Sequence, residues 1–183
     1  MTIAPVIPND CAARVLAKDR AFRSKPTGTY GCPSGPASKV NEGKGPEQFQ
    51  IVHGIAVSHD GNVYVSDRTY GRVQVFTIDG KYVTQVFIPS SSARGQAGAV
   101  AFSPDQEQKF MYVASSSQIV VVDRKALQPL YSFGSRGTKP GEFPGSPDPH
   151  HLTTDAKGNI YTVGVGTQPR AQKFAFKGLA EKR

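Results

Sequence analysis

Gly61-Asn62-Val63-Tyr64-Val65 returns further along the chain as Gly158-Asn159-Ile160-Tyr161-Thr162, and Met111-Tyr112-Val113 falls between the two. The three tyrosines stand 48 and 49 residues apart, so the chain is organised around a repeat of about 48 residues. In the first unit, β-branched and aromatic runs at 54–57, 63–66, 73–77 and 82–87 are separated by His59-Asp60-Gly61-Asn62 and by Asp79-Gly80. Asp-Gly and Gly-Asn supply the positive φ angles that tight hairpins require, so the unit reads as a four-stranded meander. The second unit runs through 99–103, 110–114, 119–123 and 130–133; the third, through 152–154, 160–163 and 171–174, has no room for a fourth strand.

Between the units lie connections rich in Gly, Pro and Ser at 42–49, 89–98 and 134–145, and Gly45-Pro46-Glu47-Gln48-Phe49 and Pro140-Gly141-Glu142-Phe143 look like one device used twice. Four-stranded meanders handed on by a loop are how the blades of a propeller are joined. A β-sandwich gives no reason for the same loop to return at the repeat period. The expected fold is therefore all-β, a partial β-propeller with blades at about 46–90, 91–137 and 138–177. A divergent or truncated lead (1–45) precedes them and a short tail (178–183) follows. Within the lead, Arg14-Val15-Leu16-Ala17-Lys18-Asp19-Arg20 loosely echoes Val120-Val121-Val122-Asp123-Arg124, which suggests outer strands of a preceding blade.

Composition agrees. The 183 residues include 19 Gly and 14 Pro, which suits short strands and tight turns better than long helices. Lys and Arg number 22 against 14 Asp and Glu, a formal charge of +8. The basic residues are scattered and not interleaved with aromatics, so a nucleic-acid partner is not expected. No apolar stretch is long enough to span a bilayer, and residues 1–10 lack the pattern of a signal peptide. Cys11 and Cys32 both fall in the lead and read either as free thiols or as one bridge.

The stretch His53-Gly54-Ile55-Ala56-Val57, Asp60 to Arg68 and Gly71-Arg72-Val73-Gln74-Val75-Phe76 resembles an NHL repeat, and the resemblance extends over about 45–177. Arg170-Ala171-Gln172-Lys173-Phe174 fits the same pattern less closely. NHL blades usually close a six-bladed ring, often outside the cytoplasm. The resemblance thus implies that an arc of three is completed by further blades of a longer chain or by a second copy in a homodimer. It also implies a binding scaffold, with loops such as 68–72 and 89–98 presenting a surface to a protein, peptide or glycan.

Candidate chemistry centres on His53 and His150, which occupy the same place at the head of the inner strand in two units; Gly98 takes that place in the middle unit. Neutral imidazoles converging in a channel suit zinc, although a catalytic zinc takes three protein ligands. The arrangement resembles the peptidyl-α-hydroxyglycine α-amidating lyases. By that likeness His53 and His150 would be metal ligands, Arg68 would hold the substrate carboxylate or orient the reacting group, and the chain would be a zinc-dependent lyase. His151, however, stands where that pattern has an acidic residue, and no third histidine is assignable.

Plainer readings exist for each residue. His53 and His150 would hydrogen-bond loop backbone, His59 would be solvated, and Asp67 with Arg72 would hold the hairpin at 68–71, as Asp123-Arg124 would in the second unit. Tyr64, Tyr112 and Tyr161 would pack between blades. No Gly-x-Ser-x-Gly, phosphate-binding Gly-rich loop, His-Glu-x-x-His or Cys-x-x-Cys motif is present.

Overall fold

The structure, a computed structural model, describes residues 43–90, 96–145, 149–165 and 169–179. The two cysteines and the possible strand at 14–20 lie outside these residues. The first blade is β1 (Val52–Val57), β2 (Asn62–Asp67), β3 (Arg72–Thr77) and β4 (Tyr82–Phe87). The second is β5 (Val100–Phe102), β6 (Phe110–Ser115), β7 (Gln118–Asp123) and β8 (Gln128–Phe133). Both are antiparallel meanders in sequence order. β9 (Ser135–Arg136) and β10 (Glu142–Phe143) form a small parallel pair within the connection to the third blade. The third blade has three strands, β11 (His151–Thr154), β12 (Ile160–Val163) and β13 (Ala171–Phe174). The chain is a partial all-β propeller, and no helix among the described residues is long and apolar enough to cross a membrane.

Successive side chains on a strand point to opposite faces, and the blades use both. Met111 and Val113 on β6 face the first blade, packing with Val100, Phe102, Val120 and Val122 against Tyr64, Val73, Val75 and Val86. Their neighbours Tyr112 and Ala114 turn the other way, to Leu152, Ile160 and Phe143 of the third. Tyr64 and Tyr112 thus sit between blades as the period implied, and the Tyr64 ring meets Phe102 edge-on at 5.0 Å. Tyr161, at the equivalent place in the third blade, donates its hydroxyl hydrogen to Asp155 at 3.0 Å and lies under the Lys173 ammonium.

The repeated loop is gripped by a repeated clamp. Arg72 and Gln74 on β3 are fully buried. Gln74 accepts from the Glu47 amide (2.9 Å) and donates to the Gln48 carbonyl (2.7 Å), while Phe49 stacks on Phe76. In the third blade Gln172 accepts from the Gly141 amide (2.8 Å) and donates to the Glu142 carbonyl (3.0 Å), and Phe143 lies against Phe174. Arg72 donates to the carbonyls of Gly43, Lys44 and Gln48, and Arg170 to those of Thr138 and Glu142.

Of the two charged pairs expected to hold their turns, the first is found and the second is corrected. Asp67 and Arg72 do face each other across the hairpin (3.4 Å), but both are fully buried, and the guanidinium spends most of its donors on the 43–48 loop. Arg124 does not close its own turn. It crosses the blade interface to Asp60 (2.9 Å) and the Tyr64 hydroxyl (3.1 Å), and only Asp123 caps the local turn, at the Ala126 amide.

Removing one partner of a buried pair strands the other's charge. Arg72→Ala is expected to lower unfolding stability by about 3 kcal/mol in urea denaturation, and Arg72→Lys to recover little of it because an ammonium lacks the fork. Lys125→Ala, which breaks only the exposed pair with Glu107, should change stability by less than about 1 kcal/mol.

Candidate functional site

The three equivalent positions His53, Gly98 and His150 lie at the heads of the inner strands. His53 is the second residue of β1, the Gly98 amide bonds the Ala114 carbonyl (2.8 Å) just before β5, and the His150 amide bonds the Val163 carbonyl (2.9 Å) just before β11. Ser66 ties the first two blades together here. Its hydroxyl accepts from the Gly54 amide at 2.7 Å and contacts the Gly98 carbonyl of the next blade. A Cβ on Gly54 would stand 2.7 Å from that carbonyl oxygen and 3.1 Å from the Ala99 Cα, so only glycine permits this approach. Sequence reasoning did not single out Ser66, because nothing in Ser66-Asp67-Arg68 says that its hydroxyl reaches another blade.

With the strands drawn together, the His53 and His150 rings meet edge to face, centroids 4.8 Å apart at 73°. The reading of His53 as a backbone-bonded histidine fails, since its Nδ1 is buried with no hydrogen-bond partner. Burial, with the nearby charges of His150, Arg68 and His151, lowers its pKa below 6.5. At neutral pH the ring is therefore uncharged and keeps a free lone pair. Arg68, just past β2 and half-buried, bonds the Ile51 carbonyl through its amide (2.8 Å), so its charge acts on His53 from the neighbouring strand. His151 is exposed, and its Nδ1 lies 3.1 Å from the Leu152 amide. His59 is exposed in its turn, as expected, although its amide donates to the Gln108 side chain of the second blade (2.7 Å).

A pair of imidazoles beside an arginine can share a proton, receive an anionic group, or supply two ligands to a borderline divalent cation. No group of three His, Cys, Asp or Glu suited to a metal occurs among the described residues. On these residues alone the pair does not amount to a zinc site.

The lowered His53 pKa makes stability depend on pH. The unfolded chain binds the proton more tightly, so the contribution is complete above the unfolded value of 6.5 and is lost as pH falls below it. Thermal melts from pH 8 down to pH 5 should show a declining Tm that is flatter in His53→Gln; an equal slope in the two proteins would contradict this assignment.

Residues 49–76 match the NHL repeat family model. Among curated proteins, NHL repeat-containing protein 3 of Homo sapiens is 28% identical over 134 residues, covering 72% of this chain and 37% of that protein. Among solved structures, a putative 6-phosphogluconolactonase from Bacteroides uniformis superposes with a TM-score of 0.60 at 18% identity, over 90% of this chain and 47% of its own. The hydrazine synthase of Kuenenia stuttgartiensis gives a TM-score of 0.48 at 19% identity, over 61% and 28%. The match to the NHL repeat thus falls on the first three strands of the first blade, and the chain spans little more than a third of the human protein's length.

Proposed function

We propose that this arc of NHL-type blades is a binding scaffold that holds a protein, peptide or glycan ligand at the inner ends of its first and third blades. The observation that carries the reading is the buried, unpartnered Nδ1 of His53, set against His150 and within electrostatic reach of Arg68. Leaving a buried polar atom without a bond costs free energy, and a ligand group that donates to it recovers that cost. Peptide and glycan arrays probed with the wild type and with a His53→Ala, Arg68→Ala double variant test the proposal. The expected result is a defined class of probe whose affinity falls at least tenfold in the variant. Retention of no probe by the wild type would sink the scaffold reading, and undiminished binding by the variant would move the site elsewhere.

The same imidazole pair supports a second reading, a metal-dependent lyase with His53 and His150 as two zinc ligands and Arg68 on the substrate carboxylate. That reading needs a further ligand from outside the described residues. Elemental analysis decides it: about one zinc per chain, lost in both His53→Ala and His150→Ala, would support it, and metal-free protein would remove it.

Val52, Ile55 and Val57 on the inner strand β1 are each more than half exposed, which suits a second copy completing the ring. Light scattering should then report a dimer, and a monodisperse monomer would exclude it.

A further inference from the structure

The two blade interfaces are built alike, and one of them is missing a part. Between the first and second blades the Arg124 guanidinium sits in a cradle of four acceptors. These are the Asp60 carboxylate (3.0 and 2.9 Å), the Tyr64 hydroxyl (3.1 Å), and the carbonyls of Glu107 (2.7 Å) and Gln108 (2.8 Å). The plane of the guanidinium lies over Phe102. This is how a planar cation with five donors is satisfied when only 3% of its side chain reaches solvent.

Each part of the cradle recurs between the second and third blades. Tyr112 takes the place of Tyr64. Asp105 takes that of Asp60, three residues past the end of the inner strand, and is bonded by Ser103 as Asp60 is by Ser58. Lys157 and Gly158 take the places of Glu107 and Gln108. In both turns the residue with positive φ, Gln108 at 48° and Gly158 at 83°, donates its amide to an aspartate carbonyl three residues back.

The guanidinium does not recur. Arg124 bonds its amide to the Lys109 carbonyl; at the matching point Phe176 bonds its amide to Asn159 Oδ1, so phenylalanine occupies the arginine's place in the chain. A cavity of about 490 Å³ remains, lined by Asp105, Tyr112, Lys157, Gly158, Phe110 and Phe176 among others. Its walls are mostly apolar, and Asp105, Lys109 and Lys157 are the charged residues among them.

We infer that this cavity is a binding site for an arginine side chain supplied by another molecule, its guanidinium held by Asp105, the Tyr112 hydroxyl and the turn carbonyls at Lys157 and Gly158, where the chain's own Arg124 is held one blade earlier. The two side-chain acceptors are in the protonation states a guanidinium needs. Asp105 lies near enough to Tyr112 to help burial and Tyr131 push that hydroxyl up to about 12. The phenol therefore stays protonated and offers its oxygen lone pairs to a donor. Hydrogen bonds from Ser103 and from backbone amides outweigh the desolvation of Asp105 and keep its carboxyl below the usual range, so the acceptor is charged at neutral pH. Lys109 and Lys157 also line the cavity, two ammoniums against one carboxylate, so the arginine must bring a carboxylate of its own to face them. The site shares no residue with the histidine pair and stands independently of the scaffold reading.

Nα-acetyl-L-arginine, with a guanidinium and a free carboxylate, is the probe, and Nα-acetyl-L-citrulline, of the same shape but uncharged at the side chain, is its control. Titrations of the 15N-labelled chain should show saturable shifts for the arginine probe at the Asp105, Tyr112 and Gly158 amides, with at least tenfold weaker binding of the citrulline compound. Asp105→Asn, at an exposed residue, should weaken binding about tenfold without changing the fold's spectrum. Phe176→Arg places the chain's own guanidinium in the cradle, and should abolish binding while raising Tm. Absence of shifts at the cavity, equal binding of arginine and citrulline probes, or undiminished binding in folded Phe176→Arg would each overturn the proposal.

Discussion

The interaction on which the rest depends is the burial of the Arg72 guanidinium. A cation removed from water costs several kcal/mol unless it is surrounded by acceptors, and one carboxylate, Asp67 at 3.4 Å, does not meet a guanidinium's needs. The carbonyls of Gly43, Lys44 and Gln48, with the Gln85 side chain, supply most of the remainder, which obliges the 43–48 loop to wrap the third strand of its own blade. Asp67 in turn takes the amides of Gln50 and Ile51, so the chain enters β1 at a set point. His53 follows two residues later. The position of the candidate site is thus a consequence of how one buried charge is satisfied, and Arg170 repeats the arrangement on the loop that leads to His150.

The second blade is held differently. At the clamp positions it carries Gln118 and Val120, and the loop before it is tied to its hairpin through the Pro89 carbonyl, which accepts from Ser115 (3.1 Å) and Gln118 (3.2 Å), and through the hydroxyls of Ser90 and Ser116 (2.9 Å). Val120 joins the apolar layer against the first blade instead. What this blade lacks in grip on its own loop it has across the interface, through Arg124 and through the contact of Ser66 with Gly98. One arginine in each full blade ties that blade to something outside its own sheet, in the first case to the loop before it and in the second to the neighbouring blade.

Much of this architecture was legible because tyrosine spacing, Asp-Gly turns and alternating β-branched runs are local signals, and the observed strands begin and end within about two residues of those read from them. The alignment that set His150 on His53 was also local, and the structure brings the two rings together. Arg72, Gln74, Arg170 and Gln172 were visible as a repeated pattern, yet their role was not, because a polar residue on a strand gives no sign of whether it faces water or a loop 26 to 31 residues away. Arg124 misled for the same reason: beside Asp123 in sequence, its partner was Asp60, 64 residues back.

By itself, then, the sequence determined the repeat, the strand order within each blade and the equivalence of His53, Gly98 and His150, since all of these follow from periodicity and turn chemistry along the chain. Only the tertiary structure decided which polar groups were paired. It buried Arg72, sent Arg124 across an interface, left His53 Nδ1 without a partner and opened a cavity where Phe176 stands in place of arginine. The physical reason is that burial and hydrogen-bond satisfaction depend on what lies across a blade interface, and residues that meet there are far apart in the chain, 32 positions for Ser66 and Gly98 and 64 for Arg124 and Asp60.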